Sequence, residues 1–130
     1  MRVRYLDSSA IVKLVVEESE SRALRRHLRD DGIRATSEIA RVEVVRAVRR
    51  HGVEAIDRAR RLLREADLVG VNDTILENAA AMEPPSLRSL NAVHLATAMQ
   101  MATDLEALIS YDRRMVEAAR ALGLAVASPA

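Results

Sequence analysis

The chain has no cysteine, no tryptophan and no phenylalanine, and its only aromatic residues are Tyr5 and Tyr111. Without cysteine it can form no disulfide, no thiolate metal site and no cysteine nucleophile. With two aromatic residues it has almost no platform on which nucleic acid bases could stack. Any contact with nucleic acid would therefore rest on phosphate groups and arginine. The lack of disulfides fits a reducing compartment, and we expect a cytoplasmic protein.

Long apolar runs are also missing. The longest stretch without Asp, Glu, Lys or Arg covers residues 89–103, whereas a membrane-spanning helix needs about 20 mostly apolar residues. Asp7 and Lys13 interrupt the N-terminal region, which therefore lacks the apolar segment of a signal peptide. We expect no membrane association. The length of 130 residues is typical of one domain, so a single domain over residues 1–130 is predicted.

Charges of opposite sign nearly balance, since the chain has 20 basic and 19 acidic residues. All basic residues except Lys13 are arginine, which suits bidentate contact with phosphate or carboxylate. Most of these arginines lie on the outer faces of predicted helices, where a solvated surface explains them. Arg113 and Arg114 are different, because they follow Asp112 directly, and we predict that they contact phosphate.

Short apolar segments alternate with helical periodicity along the whole chain. Strands are predicted at residues 2–6, 33–35, 68–71, 107–110 and 124–127, each separated from the next by one or more helices. Thr36 or Ser37 is expected to cap the third helix. This alternation predicts an α/β fold with a parallel sheet covered on both faces. Functional sites in such sheets lie beyond the carboxyl ends of the strands.

Three acidic residues and one amide are predicted to meet at that edge. Asp7 directly follows the first strand, Asp112 follows the fourth, Glu43 lies on the third helix and Asn91 opens the helix before the fourth strand. Carboxylates gathered in one pocket repel each other unless a cation neutralises them. Oxygen ligands favour Mg²⁺ or Mn²⁺, which can activate water for hydrolysis of a phosphodiester.

Each acid also has a structural explanation. Asp7 and Asp112 both precede a helix and could serve as N-caps. Glu43 is harder to explain in this way, because Val42, Val44 and Val45 surround it and a buried carboxylate without a partner is costly. Val42, Val45 and Val48 are expected to face inward, so Glu43 is favoured as a site residue. His94 on the apolar sixth helix is interpreted as a hydrogen-bonded core residue and not as a ligand.

Four segments of the chain resemble the PIN-domain ribonucleases, and within them the VapC-like toxins. Asp7 and Ser9 fit the first acid and a hydroxyl near the metal, Glu43 fits the second acid, and Ser110 and Asp112 fit a hydroxyl position and the last acid. The segments are YLDSSAIVKL (5–14), SEIARVEVVRA (37–47), SLRSLNAVHLATA (86–98) and ISYDRRM (109–115). They occur in the family's order and cover nearly the whole chain.

Asn91 departs from the family pattern, which usually has Asp at this position. Its amide oxygen can still ligate a metal ion, but three carboxylates remain instead of four. The resemblance implies a three-layer α/β/α sandwich with strand order 3-2-1-4-5, Mg²⁺- or Mn²⁺-dependent cleavage of RNA, and Asp7, Glu43, Asn91 and Asp112 as catalytic and metal-binding residues. It also implies a homodimer, a VapB-like antitoxin and a structured target such as tRNA.

Two other classes of α/β protein are excluded by single residues. A haloacid-dehalogenase-type phosphatase needs a second Asp where this chain has Ser9, and a receiver domain needs a lysine late in the chain, whereas Lys13 is the only lysine. A second hypothesis stays open because of Asn91. In it, the chain is a catalytically impaired module of the same fold that binds RNA or antitoxin without cutting.

Overall fold

A computed structural model describes residues 2–30 and 32–130. Its strands are β1 (Val3–Leu6), β2 (Ile33–Ser37), β3 (Asp67–Val69), β4 (Leu105–Ile109) and β5 (Val126–Ala127). All neighbouring strands are parallel, in the order β3-β2-β1-β4-β5. The predicted five-stranded parallel sheet and its strand order are therefore confirmed.

The described residues also form seven α-helices. They are α1 (Ser8–Val15), α2 (Ser21–His27), α3 (Ala40–Val48), α4 (Val53–Glu65), α5 (Asp73–Ala80), α6 (Ser89–Gln100) and α7 (Arg113–Ala121), with a 3₁₀ turn at Arg49–His51. None of the helices in these two ranges has both the length and the apolar character needed to cross a membrane.

Successive side chains of a strand point to opposite faces of the sheet. Apolar residues therefore lie on both faces, and helices cover both. Leu6 and Ile109 pack with the buried residues of α1, α2, α3 and α4 in one apolar cluster. Their neighbours Tyr5 and Leu108 pack on the other face with residues of α6 and α7, among them Leu95. The result is the three-layer α/β/α sandwich that the family resemblance implies.

The predicted start of α3 is wrong. Thr36 and Ser37 belong to β2, and α3 begins three residues later at Ala40 without a side-chain cap. The Ser37 hydroxyl instead accepts the backbone N–H of Ile39 at 3.3 Å, in the connection between strand and helix. The strand continues because Thr36 and Ser37 pair with β3, and this pairing outweighs the tendency of both residues to cap.

The predicted inward face of α3 is only partly right. Val48 is buried and Val45 is half-buried, but Val42 is 61% exposed. Val44 is fully buried instead. Val44 and Val48 are one helical turn apart and share a face, whereas Val42 lies about 200° around the helix from Val44. The predicted face took valines three residues apart, Val42, Val45 and Val48, whereas the buried face runs through residues four apart, Ala40, Val44 and Val48.

At the amino end of the sheet, Arg4 lies on the central strand and is 3% exposed. Its guanidinium pairs with Asp30 and, at 2.8 Å, with Glu106. The second helix, α2, ends at His27, so Asp30 lies outside it. The hydrogen bond from Arg4, together with the backbone N–H of Gly32, lowers the pKa of Asp30 to about 2.

We expect this ion pair to make the free energy of unfolding depend on pH. Because the pKa of Asp30 is lowered on folding, its stabilisation is present above about pH 4 and is lost as the pH falls toward 2. Asp30→Asn should therefore destabilise the protein at pH 6 and have a much smaller effect at pH 2.5, as measured by urea unfolding at both values. Asp57→Asn, which alters an exposed carboxylate of α4, is the control. An equal effect of Asp30→Asn at both pH values would contradict the expectation.

Candidate active site

Two of the acids are fixed at the carboxyl edge of the sheet as helix caps. Asp7 is the first residue after β1 and the N-cap of α1, and its Oδ1 accepts the backbone N–H of Ala10 at 3.0 Å. Asp112 follows β4 and caps α7, where its Oδ1 accepts the N–H of Arg114 at 3.0 Å. The capping interpretation was therefore correct for both. It does not exclude a functional role, because both side chains also line a cleft.

This cleft brings together the four residues that the sequence singled out. Asp7, Glu43, Asn91 and Asp112 all line a cavity of about 370 Å³ above the ends of β1 and β4. Glu43 reaches it from the first turn of α3, and Asn91 from the first turn of α6. The start of α3 at Ala40 places Glu43 in the first turn of the helix, near the sheet edge.

Asp7 lies at the bottom of the site and is 2% exposed. Ser9 Oγ donates to its Oδ1 at 2.6 Å, and Ser110 Oγ donates to its Oδ2 at 2.5 Å. Burial raises the pKa of Asp7, and the hydrogen bonds from Ser110, Ser9 and the Ala10 N–H oppose that shift only in part. The two serines predicted as supporting hydroxyls thus hold the buried carboxyl group from opposite sides.

Glu43 is held by two side chains that the sequence analysis did not assign to the site. Ser8 Oγ donates to Glu43 Oε1 at 2.7 Å, and His94 Nε2 lies 2.7 Å from the same oxygen. Burial acts to raise the pKa of Glu43, but the hydrogen bonds from His94 and Ser8 outweigh it and leave the pKa below its ordinary value. The carboxylate form of Glu43 is therefore favoured.

The prediction that His94 is a hydrogen-bonded core residue is confirmed, since it is 1% exposed and its Nδ1 lies 2.6 Å from the Tyr5 hydroxyl. What the sequence analysis missed is its contact with Glu43. A signal was available, because His94 follows Asn91 by three residues and so shares its helix face.

Asn91 directly contacts Asp112, another of the four residues that the sequence singled out. Its side-chain Nδ2 donates a hydrogen bond of 3.1 Å to Asp112 Oδ2. An aspartate at this position could not donate, and two carboxylates at such a distance would repel each other in the absence of a cation. The amide N–H therefore stabilises the Asp112 carboxylate by a hydrogen bond, although it does not neutralise the charge as a metal ion would.

The oxygen atoms of the side chains in the cleft are chemically suited to bind a divalent metal ion, although the acidic groups do not form a compact cluster. Within residues 2–30 and 32–130, no three His, Cys, Asp or Glu side chains lie close enough together to form a metal centre. The cleft nevertheless offers carboxylate and amide oxygens, the type of ligand that Mg²⁺ and Mn²⁺ prefer. Mg²⁺ usually keeps several water molecules and needs only one or two protein carboxylates. The buried Asp7 carboxyl group would also gain from a nearby cation.

Among the arginines, the structure brings a different one to the cleft than the sequence indicated. Arg88, the residue before α6, lines the cavity. Arg113 and Arg114 are exposed at the start of α7, beside Asp112, but do not belong to the cavity lining. Arg88 lies three residues before Asn91, and this spacing was the available signal.

Comparison with known proteins agrees with this fold. The chain belongs to the PIN-domain family, whose family model (PIN domain) matches residues 4–121. Within the family it is similar to Ribonuclease VapC46 of Mycobacterium tuberculosis, with 49% identity over 129 residues and 99% of each chain covered. It is also similar to Ribonuclease VapC35 of the same organism, with 43% identity and 96% of each chain covered.

Solved structures support the fold independently. The M. tuberculosis toxin VapC20, described as cleaving the Sarcin-Ricin loop, superposes with a TM-score of 0.77 at 17% identity, covering 97% of this chain and 99% of that one. A chain of a toxin–antitoxin complex from Klebsiella pneumoniae superposes with a TM-score of 0.73 at 20% identity and 98% coverage of both. At these identities the likeness concerns the fold alone.

The contact between Asn91 and Asp112 predicts a link between metal and stability. Asn91→Asp removes a hydrogen bond and adds a second carboxylate, so we expect it to lower the metal-free free energy of unfolding by about 1 kcal/mol. Mg²⁺ or Mn²⁺ should then stabilise this variant more than the native chain, because the ion binds more tightly to four carboxylates. Thermal unfolding with and without metal measures both effects. Equal stabilisation of the two proteins by metal would count against a metal site here.

Proposed function

We propose that the chain is a metal-dependent endoribonuclease that hydrolyses RNA phosphodiesters and acts as the toxin of a VapBC-type pair. The observation that carries the proposal is the convergence of Asp7, Glu43, Asn91 and Asp112 on one cleft at the carboxyl edge of the sheet. The 49% identity to a VapC ribonuclease supports it. In this proposal residues 1–130 act as one PIN domain, and the protein works in the cytoplasm, where its RNA substrate is found.

Asp7, Glu43, Asp112 and the amide oxygen of Asn91 would hold Mg²⁺ or Mn²⁺. When bound, such an ion supplies a water molecule of lowered pKa and neutralises charge on the phosphate. Ser9 and Ser110 keep the Asp7 carboxyl group fixed by their hydrogen bonds. The chain itself would thus provide a rigid, negatively charged floor, and the cation would make this floor compatible with the negative charge of RNA.

Arginine would position the RNA backbone. Arg88 lines the cleft, and Arg113 and Arg114 are exposed next to Asp112. Their guanidinium groups suit bidentate contact with phosphate oxygens. Since aromatic residues are nearly absent from the chain, base stacking contributes little, and the shape of a folded RNA such as a tRNA or another structured RNA is the feature to be recognised.

The proposed partners follow from the relatives. Chains of similar fold occur in toxin–antitoxin complexes from Klebsiella pneumoniae and Haemophilus influenzae, and we propose a VapB-like antitoxin for this chain as well. A homodimer belongs to the same proposal. An antitoxin with acidic residues near the cleft would compete with RNA for Arg88, Arg113 and Arg114, and this competition would explain inhibition.

The direct test is cleavage of a total tRNA pool and of ribosomal RNA by the purified chain with Mg²⁺ or Mn²⁺. We expect metal-dependent cutting that EDTA stops. Asp7→Ala should abolish it, because this change removes the buried carboxyl group of the site. Asn91→Asp should increase the rate at low metal concentration, by about 10-fold or more, since a fourth carboxylate strengthens binding of the ion.

Asp57→Ala removes an exposed carboxylate on α4 and is the matched control, with a rate expected to equal that of the native chain. Cutting that persists in Asp7→Ala or in EDTA would come from a contaminating nuclease and would overturn the assignment. Failure of both the native chain and Asn91→Asp to cut either RNA, while both fold, would move the conclusion to the binding module described below.

A separate prediction concerns the arginines. Arg88→Ala and the double variant Arg113→Ala/Arg114→Ala should raise KM for RNA several-fold with a smaller effect on kcat, because they remove phosphate contacts and leave the carboxylates in place. The salt dependence of binding should also become weaker. Arg120→Ala, at the far end of α7, is the control. Unchanged KM and salt dependence in both variants would show that these arginines do not contact the RNA.

One observation favours a second candidate, a PIN-fold module that binds RNA or antitoxin without cutting. The hydrogen bond from Asn91 to Asp112 Oδ2 occupies an oxygen that a metal ion would need. If this hydrogen bond persists in the presence of metal, Asp112 Oδ2 is not free to bind the ion. Failure of both the native chain and Asn91→Asp to cut, while RNA or an antitoxin still binds, would identify this case. Cleavage by Asn91→Asp alone would instead show a working site with one ligand altered.

A further inference from the structure

Glu43 is bound through only one of its two oxygens. Oε1 accepts hydrogen bonds from Ser8 Oγ and His94 Nε2, both at 2.7 Å. Oε2 accepts none from any residue that the structure describes. The side chain is 20% exposed, so Oε2 is not sealed in the core. The carboxylate is therefore fixed at one oxygen and open at the other.

The histidine that fixes it is itself fixed from the opposite side. Tyr5 on β1 places its hydroxyl 2.6 Å from His94 Nδ1. The Glu43 carboxylate oxygen can only accept, so the ring proton lies on Nε2, and Nδ1 of the neutral ring accepts from the Tyr5 hydroxyl. Nε2–H then donates to Glu43 Oε1. The series Tyr5, His94 and Glu43 thus has one consistent direction of hydrogen bonds.

These contacts connect four elements of the fold. Tyr5 comes from β1, Ser8 from α1, Glu43 from α3 and His94 from α6. A glutamate side chain has three rotatable bonds and needs contacts to keep one conformation. The N-cap of α3 makes no side-chain hydrogen bond, so the start of the helix does not restrain Glu43. The two donors supply the restraint that the helix lacks.

We propose that Tyr5, His94 and Ser8 are positioning residues that hold Oε1 of Glu43 and so reserve Oε2 for the cation of the active site. This inference rests on the proposed function. His94 takes no proton from water or substrate in this arrangement, because both ring nitrogens are engaged and the residue is 1% exposed. Its contribution is to orient a ligand, the role that buried partners of metal ligands commonly have.

The first experiment is independent of catalysis. Crystal structures of the metal-free native chain and of His94→Leu compare the Glu43 side chain when the ring nitrogens are replaced by apolar carbon. We expect Glu43 Oε1 to keep its 2.7 Å contacts in the native chain and the carboxylate to leave this position or become disordered in His94→Leu. An unchanged Glu43 conformation in His94→Leu would overturn the proposal.

The second experiment measures Mn²⁺ affinity by electron paramagnetic resonance of the free ion. His94→Leu should bind Mn²⁺ about 10- to 100-fold more weakly, the effect typical of removing a residue that orients a metal ligand. Tyr5→Phe removes only one oxygen and should weaken binding in the same direction by a smaller factor. His94→Gln retains an N–H donor near the Nε2 position and should restore most of the affinity.

Two matched controls separate orientation from general damage. Tyr111→Phe makes the same chemical change at the other tyrosine, whose hydroxyl donates to Pro129 O. Ser21→Ala removes a buried hydroxyl from α2, as Ser8→Ala removes a half-buried one from α1. Both controls should bind Mn²⁺ like the native chain, whereas Ser8→Ala should bind it more weakly. In cleavage assays the positioning variants should lower kcat with little change in KM for RNA.

The outcomes distinguish this inference from the proposed function. If the native chain and Asn91→Asp both fail to bind Mn²⁺ and to cut RNA, the proposed function fails, and the crystal structures still decide whether His94 holds Glu43. If the native chain binds Mn²⁺ and Tyr5→Phe and His94→Leu, both folded, bind it equally well, the positioning role is refuted. Equal loss in His94→Gln and His94→Leu would also refute it, because the N–H donor would then be irrelevant.

Discussion

Burial of the Asp7 carboxyl group at the end of the central strand is the constraint around which the site is built. A carboxyl group that is 2% exposed needs donors on every side. Ser9, Ser110 and the N–H of Ala10 supply them, and these contacts join β1, α1 and the end of β4. The surroundings of Asp7 therefore determine how the first helix leaves the sheet and how closely β4 approaches it.

Much of the fold was predictable from the chain alone. Apolar segments separated by helical periodicity predicted five parallel strands, and the family resemblance supplied their order. The placement of Asp7, Glu43, Asn91 and Asp112 followed from topology, because residues at the carboxyl ends of adjacent parallel strands share one edge. The buried face of each helix was harder to predict. Val42 was expected inside and is exposed, since the closely spaced valines of α3 are compatible with more than one buried face.

The contacts of the site were the part that the sequence could not provide. The interaction of His94 with Glu43 joins residues 51 positions apart, and neither residue carries a local pattern that identifies the other. The same holds for Arg88, which reaches the cleft only because the loop before α6 places it there. Single-sequence patterns identify elements and their order, whereas long-range side-chain contacts depend on how those elements pack.

The dual use of two carboxylates restricts how this chain can change over evolutionary time. Asp7 and Asp112 each cap the start of a helix as well as line the cleft, so any substitution that cannot cap loses stability together with the proposed metal ligand. Position 91 lies inside the first turn of α6 and caps nothing. Under the proposed function, a change at position 91 therefore alters a metal ligand without removing a helix cap, so the site can lose a negative charge while the fold is kept.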